Sequence, residues 1–176
     1  MTTLALHIPE VKSGDLILRA ICEDDLDPLA TFYAGPRSHF VGGPLERAEC
    51  WRLIAGNLGH WALRGYGMWV ISDRGTGDPM GVCGFIYREG WDEPELGWQV
   101  WDGYEGRGIA YRAAQAARAH GAANFGLDGV ISYIAPDNAR SQALARRLGA
   151  DLEREGTLLG ASCQVWRHPK SGEVAA

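Results

Sequence analysis

Residues 95–117 switch hydrophobic period across a glycine turn, and few folds accommodate such a switch. Leu96, Trp98 and Val100 alternate with Glu95, Gly97, Gln99 and Trp101, the period of two expected of a strand with unlike faces. Gly103, Gly106 and Gly108 then allow a sharp turn, because glycine reaches positive φ without steric cost. From Ile109 the spacing is helical. Ala110, Ala113, Ala114, Ala117 and Gly121 form one face of small residues, which lets a helix lie close against a sheet.

The turn has a chemical consequence. The first amides of a helix lack partners within it, and the macrodipole adds partial positive charge there. The amides of Gly106, Arg107, Gly108, Ile109 and Ala110 can converge on an anion, typically a phosphate, with the Arg107 side chain adding a full charge at the rim. A plain tight turn is the competing reading. A dinucleotide fingerprint fits poorly: the sixth position from Gly106 is Tyr111, and Asp128 is the sole acid near the expected distance. The P-loop pattern also fails, because no Lys-Ser or Lys-Thr follows the glycines.

Around this stretch the chain reads as one domain of 176 residues, with a core over about 14–167 and short tails. Residues 1–14 read as a loose lead or an added edge segment. Strands are expected at 15–20, 67–73, 80–88 and 94–101, the last three forming an antiparallel meander. A strand at 129–135 follows the helix as a parallel crossover, and a hairpin at 151–158 and 161–167 turns at Leu159-Gly160. Helices are expected from Glu23 to about Ala34 and from Leu45 to Arg64, with Gly35–Pro44 as a loop. Trp51, Ile54, Leu58 and Trp61 read as that second helix's core stripe. A short helix after Pro136 would be capped by Asp137 or Asn138, with Asn138 and Ser141 facing the same way. The residues 169–176 read as a polar tail.

Composition narrows the function classes. A net charge of −5 argues against a general nucleic-acid binder. No apolar run approaches a membrane span and no secretory signal is visible. The four cysteines, Cys22, Cys50, Cys83 and Cys163, have no Cys-x-x-Cys spacing and read as small buried apolar residues in a reducing, cytoplasmic setting. No metal site is expected. The seven tryptophans leave the oligomeric state open; any left exposed would point to a homodimer.

Four segments in register, at 16–19 (LILR), 95–98 (ELGW), 104–110 (YEGRGIA) and 138–141 (NARS) leading to Leu148-Gly149, resemble the GNAT superfamily of N-acetyltransferases. Within it they resemble the ribosomal-protein alanine N-acetyltransferase branch. The resemblance implies an α/β fold with a central mixed, mostly antiparallel sheet of about seven strands, helices on both faces, and a splayed wedge between the strands at 94–101 and 129–135. It implies acetyl-CoA as cosubstrate, its pyrophosphate on the Gly106–Ala110 amides. Its pantetheine arm would pair with the backbone of Gln99, Val100 and Trp101, and Asn138 would hold it across the wedge. Glu95 matches the general base of several members, and burial beside Trp91 and Trp98 would raise its pKa. The tyrosine that often protonates the leaving thiolate is Ala145 here, which leaves Ser141 for that role. Gly103 and Tyr111-Arg112 also depart from the usual motif. The acceptor would be a small-molecule amine or a protein N-terminus, with the 35–44 loop and Trp91 loop as selectors. A CoA-binding sensor or scaffold without turnover is the alternative.

Overall fold

The computed structural model describes residues 5–172. Eight strands form one sheet in the order β1-β2-β3-β4-β5-β6-β8-β7. They are β1 (Val11–Ser13), β2 (Leu16–Arg19), β3 (Met68–Asp73), β4 (Pro79–Ile86), β5 (Glu95–Val100), β6 (Ile131–Ile134), β7 (Asp151–Leu158) and β8 (Ala161–Arg167). The helices are α1 (Leu26–Ala34), α2 (Arg47–Arg64), α3 (Ile109–Asn124) and α4 (Ala139–Arg147). All neighbouring pairs are antiparallel except β5 with β6. The eighth strand is β1, so of the two expectations for residues 1–14, a loose lead or an added edge segment, Val11–Ser13 takes the second. Within the residues expected as tails, 1–4 and 173–176 lie outside the described residues.

Both faces of the sheet are covered, each for a sequence reason. The small face of α3 buries Ala113, Ala114 and Ala117 against Trp69, Phe85 and Leu96. On the opposite face α1 and α2 bring Leu29, Phe32, Cys50 and Ile54 against Val70, Val82 and Trp101. The helix expected from Glu23 begins with a 3-10 turn, Glu23–Asp25, before α1. Asp25 is buried there and takes a bidentate ion pair from Arg19 at 2.7 and 2.9 Å, which ties the start of α1 to β2.

Three expectations are corrected. The segment 35–44 is not all loop: Pro36–Val41 is a 3-10 helix, with Pro36 in its first turn, where proline's fixed φ suits the helix and its missing N–H costs nothing. Trp51 leaves the core stripe of α2, being 47% exposed with its indole N–H donated to Glu23 at 3.1 Å. Cys22 is exposed, whereas the other three cysteines are buried.

Close packing of α3 gives a prediction with opposite signs at two glycines. A Cβ on Gly121 would meet Phe85 Cζ at 2.4 Å, whereas one on Gly56 of α2 meets nothing within 4 Å. Gly121→Ala should lower stability by about 1–3 kcal/mol through overpacking. Gly56→Ala should raise it by up to about 1 kcal/mol through helix propensity alone. Urea unfolding of the two variants checks the sign.

Candidate active site

Strands β5 and β6 start as a parallel pair and separate at once. Their ladder consists of the pair Glu95↔Ile131, with the Ile131 N–H donated to the Pro94 carbonyl at 3.4 Å. The next bond of a parallel ladder would join the Tyr133 N–H to the Leu96 carbonyl. Each group finds a side chain instead. Tyr133 N–H donates to Glu95 Oε1 at 3.4 Å, and the Ser132 hydroxyl donates to the Leu96 carbonyl at 2.6 Å. With its proton so committed, Ser132 accepts from His168 Nε2–H at 2.9 Å. His168 is buried, and burial pushes its pKa down to about 3, so the imidazole stays neutral in that tautomer.

Beyond the separation lies a cleft of about 930 Å³. Its floor is the backbone edge of β5. The Trp101 N–H donates to the Met80 carbonyl of β4 at 2.8 Å, so by antiparallel alternation residues 97, 99 and 101 turn their backbone groups to β4. Trp98 and Val100 turn theirs toward the gap. Of the trio Gln99, Val100 and Trp101, Val100 is therefore the one that presents backbone groups there. Gln99 lines the cleft with its side chain, whose Nε2 donates to Tyr33 Oη at 2.8 Å. Trp101 is buried in the core on the α1–α2 side.

One end of the cleft is the start of α3. Gly106 and Gly108 have φ of 73° and 70°, a conformation that favours glycine. Gly108 is the N-cap, and no side chain caps the helix, so the first-turn amides are open donors. A Cβ on either glycine would meet nothing within 4 Å, which leaves room above the amides. Gly106, Gly108, Ile109 and Ala110 line the cleft; Arg107 does not, its guanidinium lying 5.7 Å from the centre of the Tyr104 ring. This donor set fits a diphosphate. Across the gap, α4 contributes Asn138, Ser141 and Leu144. Asn138 Oδ1 caps α4 by accepting from Ser141 N–H at 3.2 Å. Ala145 is buried against Ile134 and Trp166, and no polar side chain stands in for a tyrosine at that position. The far wall is Phe32, Arg37, Phe40 and Val41, the last three from the 3-10 helix.

Glu95 is not one of the cleft-lining residues. It sits at the closed end of the separation, 9% exposed, with Oε2 accepting from the Trp91 indole N–H at 2.7 Å. Burial raises its pKa to about 7, while the Trp91 and Tyr133 hydrogen bonds oppose the rise. Trp98 faces the other side of the sheet, edge-on to His168 at 6.2 Å. The expected rise is present and burial causes it, but the two tryptophans named for it do not both contribute: the Trp91 N–H favours the ionised form, and Trp98 lies on the opposite face. Sequence reasoning also missed Arg37, Ser132 and His168. A histidine just past the last strand is a weak signal, and nothing local marks the other two.

The fold and site have clear relatives. The pattern described as "Acetyltransferase (GNAT) domain" matches residues 15–151. The chain therefore belongs to the GNAT acetyltransferase family. It is 33% identical over 101 residues to an L-2,4-diaminobutyric acid acetyltransferase of Streptomyces avermitilis, a match covering 54% of the chain and 56% of that relative. The chain thus spans about half the length of this curated relative. An acetyltransferase from Agrobacterium tumefaciens superposes with a TM-score of 0.87 at 32% identity, over 97% of this chain and 99% of the other. A ribosomal-protein-S5-alanine acetyltransferase from Vibrio fischeri shares the fold with a TM-score of 0.72 at 16% identity, over 96% and 100% of the two chains. A ribosomal L7/L12 alpha-N-protein acetyltransferase in complex with coenzyme A does so with a TM-score of 0.70 at 20% identity, over 91% and 96%. Among the described residues no helix is long and apolar enough to cross a membrane, and no group of three His, Cys, Asp or Glu is placed to hold a metal ion.

The burial of Glu95 predicts a pH-dependent stability difference. Its folded pKa of about 7 lies above the unfolded value of 4.5, so its contribution is fully favourable below 4.5 and is lost as pH rises through 7. Glu95→Gln does not titrate. At pH 8 the variant should be more stable than the parent by on the order of 3 kcal/mol, and at pH 4.5 the difference should vanish. Denaturant unfolding at the two pH values measures both.

Proposed function

We propose that this chain is an acetyl-CoA-dependent N-acetyltransferase that moves an acetyl group to a primary amine by direct attack. The observation that carries the reading is one continuous cleft linking the uncapped start of α3 to the separation of β5 from β6. Acetyl-CoA would supply the activated acetyl thioester. The Gly106–Ala110 amides would bind its diphosphate, and the gap-side backbone of Trp98 and Val100 its pantetheine arm. The Asn138 amide nitrogen, left over from helix capping, can donate from the opposite wall.

An amine must lose a proton before it attacks, and near neutral pH most are protonated. Glu95, titrating near 7, has the right affinity to take that proton. It stands back from the cleft, so it works through water. Glu95, Gly97 and Gln99 share one face of β5, so Gly97 places no side chain of its own between the carboxylate and the cleft-lining Gln99, and the Met68 and Ile86 side chains border that space. The Trp98 N–H faces the gap on the Glu95 side of Val100 and can stabilise negative charge developing on the acetyl oxygen. Ser141 lines the cleft with a hydroxyl able to donate to the departing sulfur.

The acceptor is an amine presented from the Phe32, Phe40 and Val41 side. The curated relative is named for diaminobutyric acid and two of the fold neighbours for ribosomal proteins. Both are primary amines, and both classes belong in the same turnover screen.

Glu95→Gln should lower kcat/KM by about 10²–10⁴-fold and remove the rise in rate centred near pH 7, with coenzyme A affinity retained. Gly97→Ala tests the water route. Its Cβ would meet Ile86 Cδ1 at 3.4 Å and Met68 Cε at 3.7 Å, so it fits the fold while filling the space a water would need beside Glu95, and kcat should fall more than KM changes. Thiol release followed from pH 5.5 to 9 reads both. A parent-like profile in Glu95→Gln takes the base role away from Glu95.

A further inference from the structure

Arg37 projects from the 3-10 helix at Pro36–Val41 into the mouth of the cleft. Its guanidinium lies over the Phe32 ring at 5.8 Å and meets three oxygen-bearing groups. Nη1 donates to Asp102 Oδ1 at 2.7 Å and lies 2.9 Å from Glu105 Oε1; Nη2 donates to the Val100 carbonyl at 3.0 Å. Asp102 immediately precedes the glycine turn that opens α3, and Glu105 lies within it. Glu105 directly precedes Gly106, and its second oxygen accepts from Gly103 N–H at 2.7 Å. Its own hydrogen bonds and Arg37 keep its pKa low, so it is charged throughout the working range.

This arrangement is unfavourable for an anion site unless something offsets it. Glu105 immediately precedes Gly106 in the turn and Asp102 shares its guanidinium partner, so two negative charges stand beside amides open to a phosphate. Arg107, the cation nearest in sequence to these amides, is not among the cleft-lining residues, and its guanidinium lies over Tyr104 and makes no ion pair with either acid. Arg37 is the cation in contact with both acids. It also satisfies the Val100 carbonyl on the gap side of β5, which would otherwise need another donor.

We infer that Arg37 is a positioning residue for the donor. It neutralises Asp102 and Glu105 so that the start of α3 accepts a diphosphate, and it fixes the end of β5 by holding the Val100 carbonyl. Arg37 thereby couples the wall facing the acceptor to the turn facing the donor. The inference rests on the proposed binding of coenzyme A, and one experiment separates the two.

Coenzyme A binding is measured by calorimetry at low and high salt for the parent, Arg37→Gln, Arg37→Lys, Asp102→Asn and the double variant Arg37→Gln/Asp102→Asn. Arg37→Gln should weaken binding about tenfold at low salt, a loss of about 1.4 kcal/mol, and high salt should narrow the gap. Arg37→Lys keeps the charge and should stay within about threefold. The double variant removes one acid along with the cation and should recover most of the lost affinity. Asp102→Asn alone should bind at least as tightly as the parent. Failure of the double variant to recover, with Arg37→Gln weakened, would mean that Arg37 holds the phosphates directly and would overturn the inference. Equal binding by Arg37→Gln and the parent would overturn it as well. A parent protein that does not bind coenzyme A refutes the acetyltransferase reading itself. Thermal melts of each variant confirm folding; if Arg37→Gln does not fold, Asp102→Asn/Glu105→Gln, which removes both acids and keeps Arg37, should bind coenzyme A more tightly than the parent at low salt, and equal or weaker binding overturns the inference.

Discussion

Two backbone groups that a parallel sheet would pair, the Leu96 carbonyl and the Tyr133 N–H, are held apart by side chains. Burying either group unpaired would cost about 1–3 kcal/mol. Ser132 and Glu95 remove that cost, so the strands can separate where they would otherwise continue to pair. His168 supports Ser132 from behind and stays neutral because it is buried. The cleft, the free edge of β5 and the perturbed carboxylate all follow from this substitution. Glu95 thus serves two ends: its oxygen replaces a carbonyl for Tyr133, and its burial brings its proton affinity into the neutral range.

The second determinant is how closely α3 lies on the sheet. Ala113, Ala114, Ala117 and Gly121 let the helix press on Phe85, and that contact fixes where its first turn points. The glycine turn leads straight from β5 to that first turn. Binding of an anion and binding along β5 are therefore coupled by a few residues of chain. Arg37 adds a second coupling through space, from the wall of the cleft to the acids of the turn.

Much of this was legible in the sequence because it depends on local pattern. The alternation from Glu95 to Trp101, the glycine turn and the small face of α3 all stand where periodicity put them. The final hairpin turns at Leu159-Gly160 as read. Gly35-Pro36 was misread because a breaker pair also starts a 3-10 helix when proline falls in the first turn. The three residues of β1 are too few to show a period. The supports of the site were illegible for a different reason: Ser132 meets His168 across 36 residues and Arg37 meets Asp102 across 65. Burial of Glu95 depends on the Trp91 turn folding back and on Tyr133 arriving from β6, neither of which leaves a local signature.

A crystal structure of the protein with coenzyme A bears most directly on the role of the separated strands. The diphosphate should lie on the first-turn amides of α3, with the pantetheine arm in the gap against Trp98 and Val100 and the sulfur beside Ser141. A ligand bound elsewhere, or a gap closed by a Tyr133 N–H to Leu96 carbonyl bond, would contradict it.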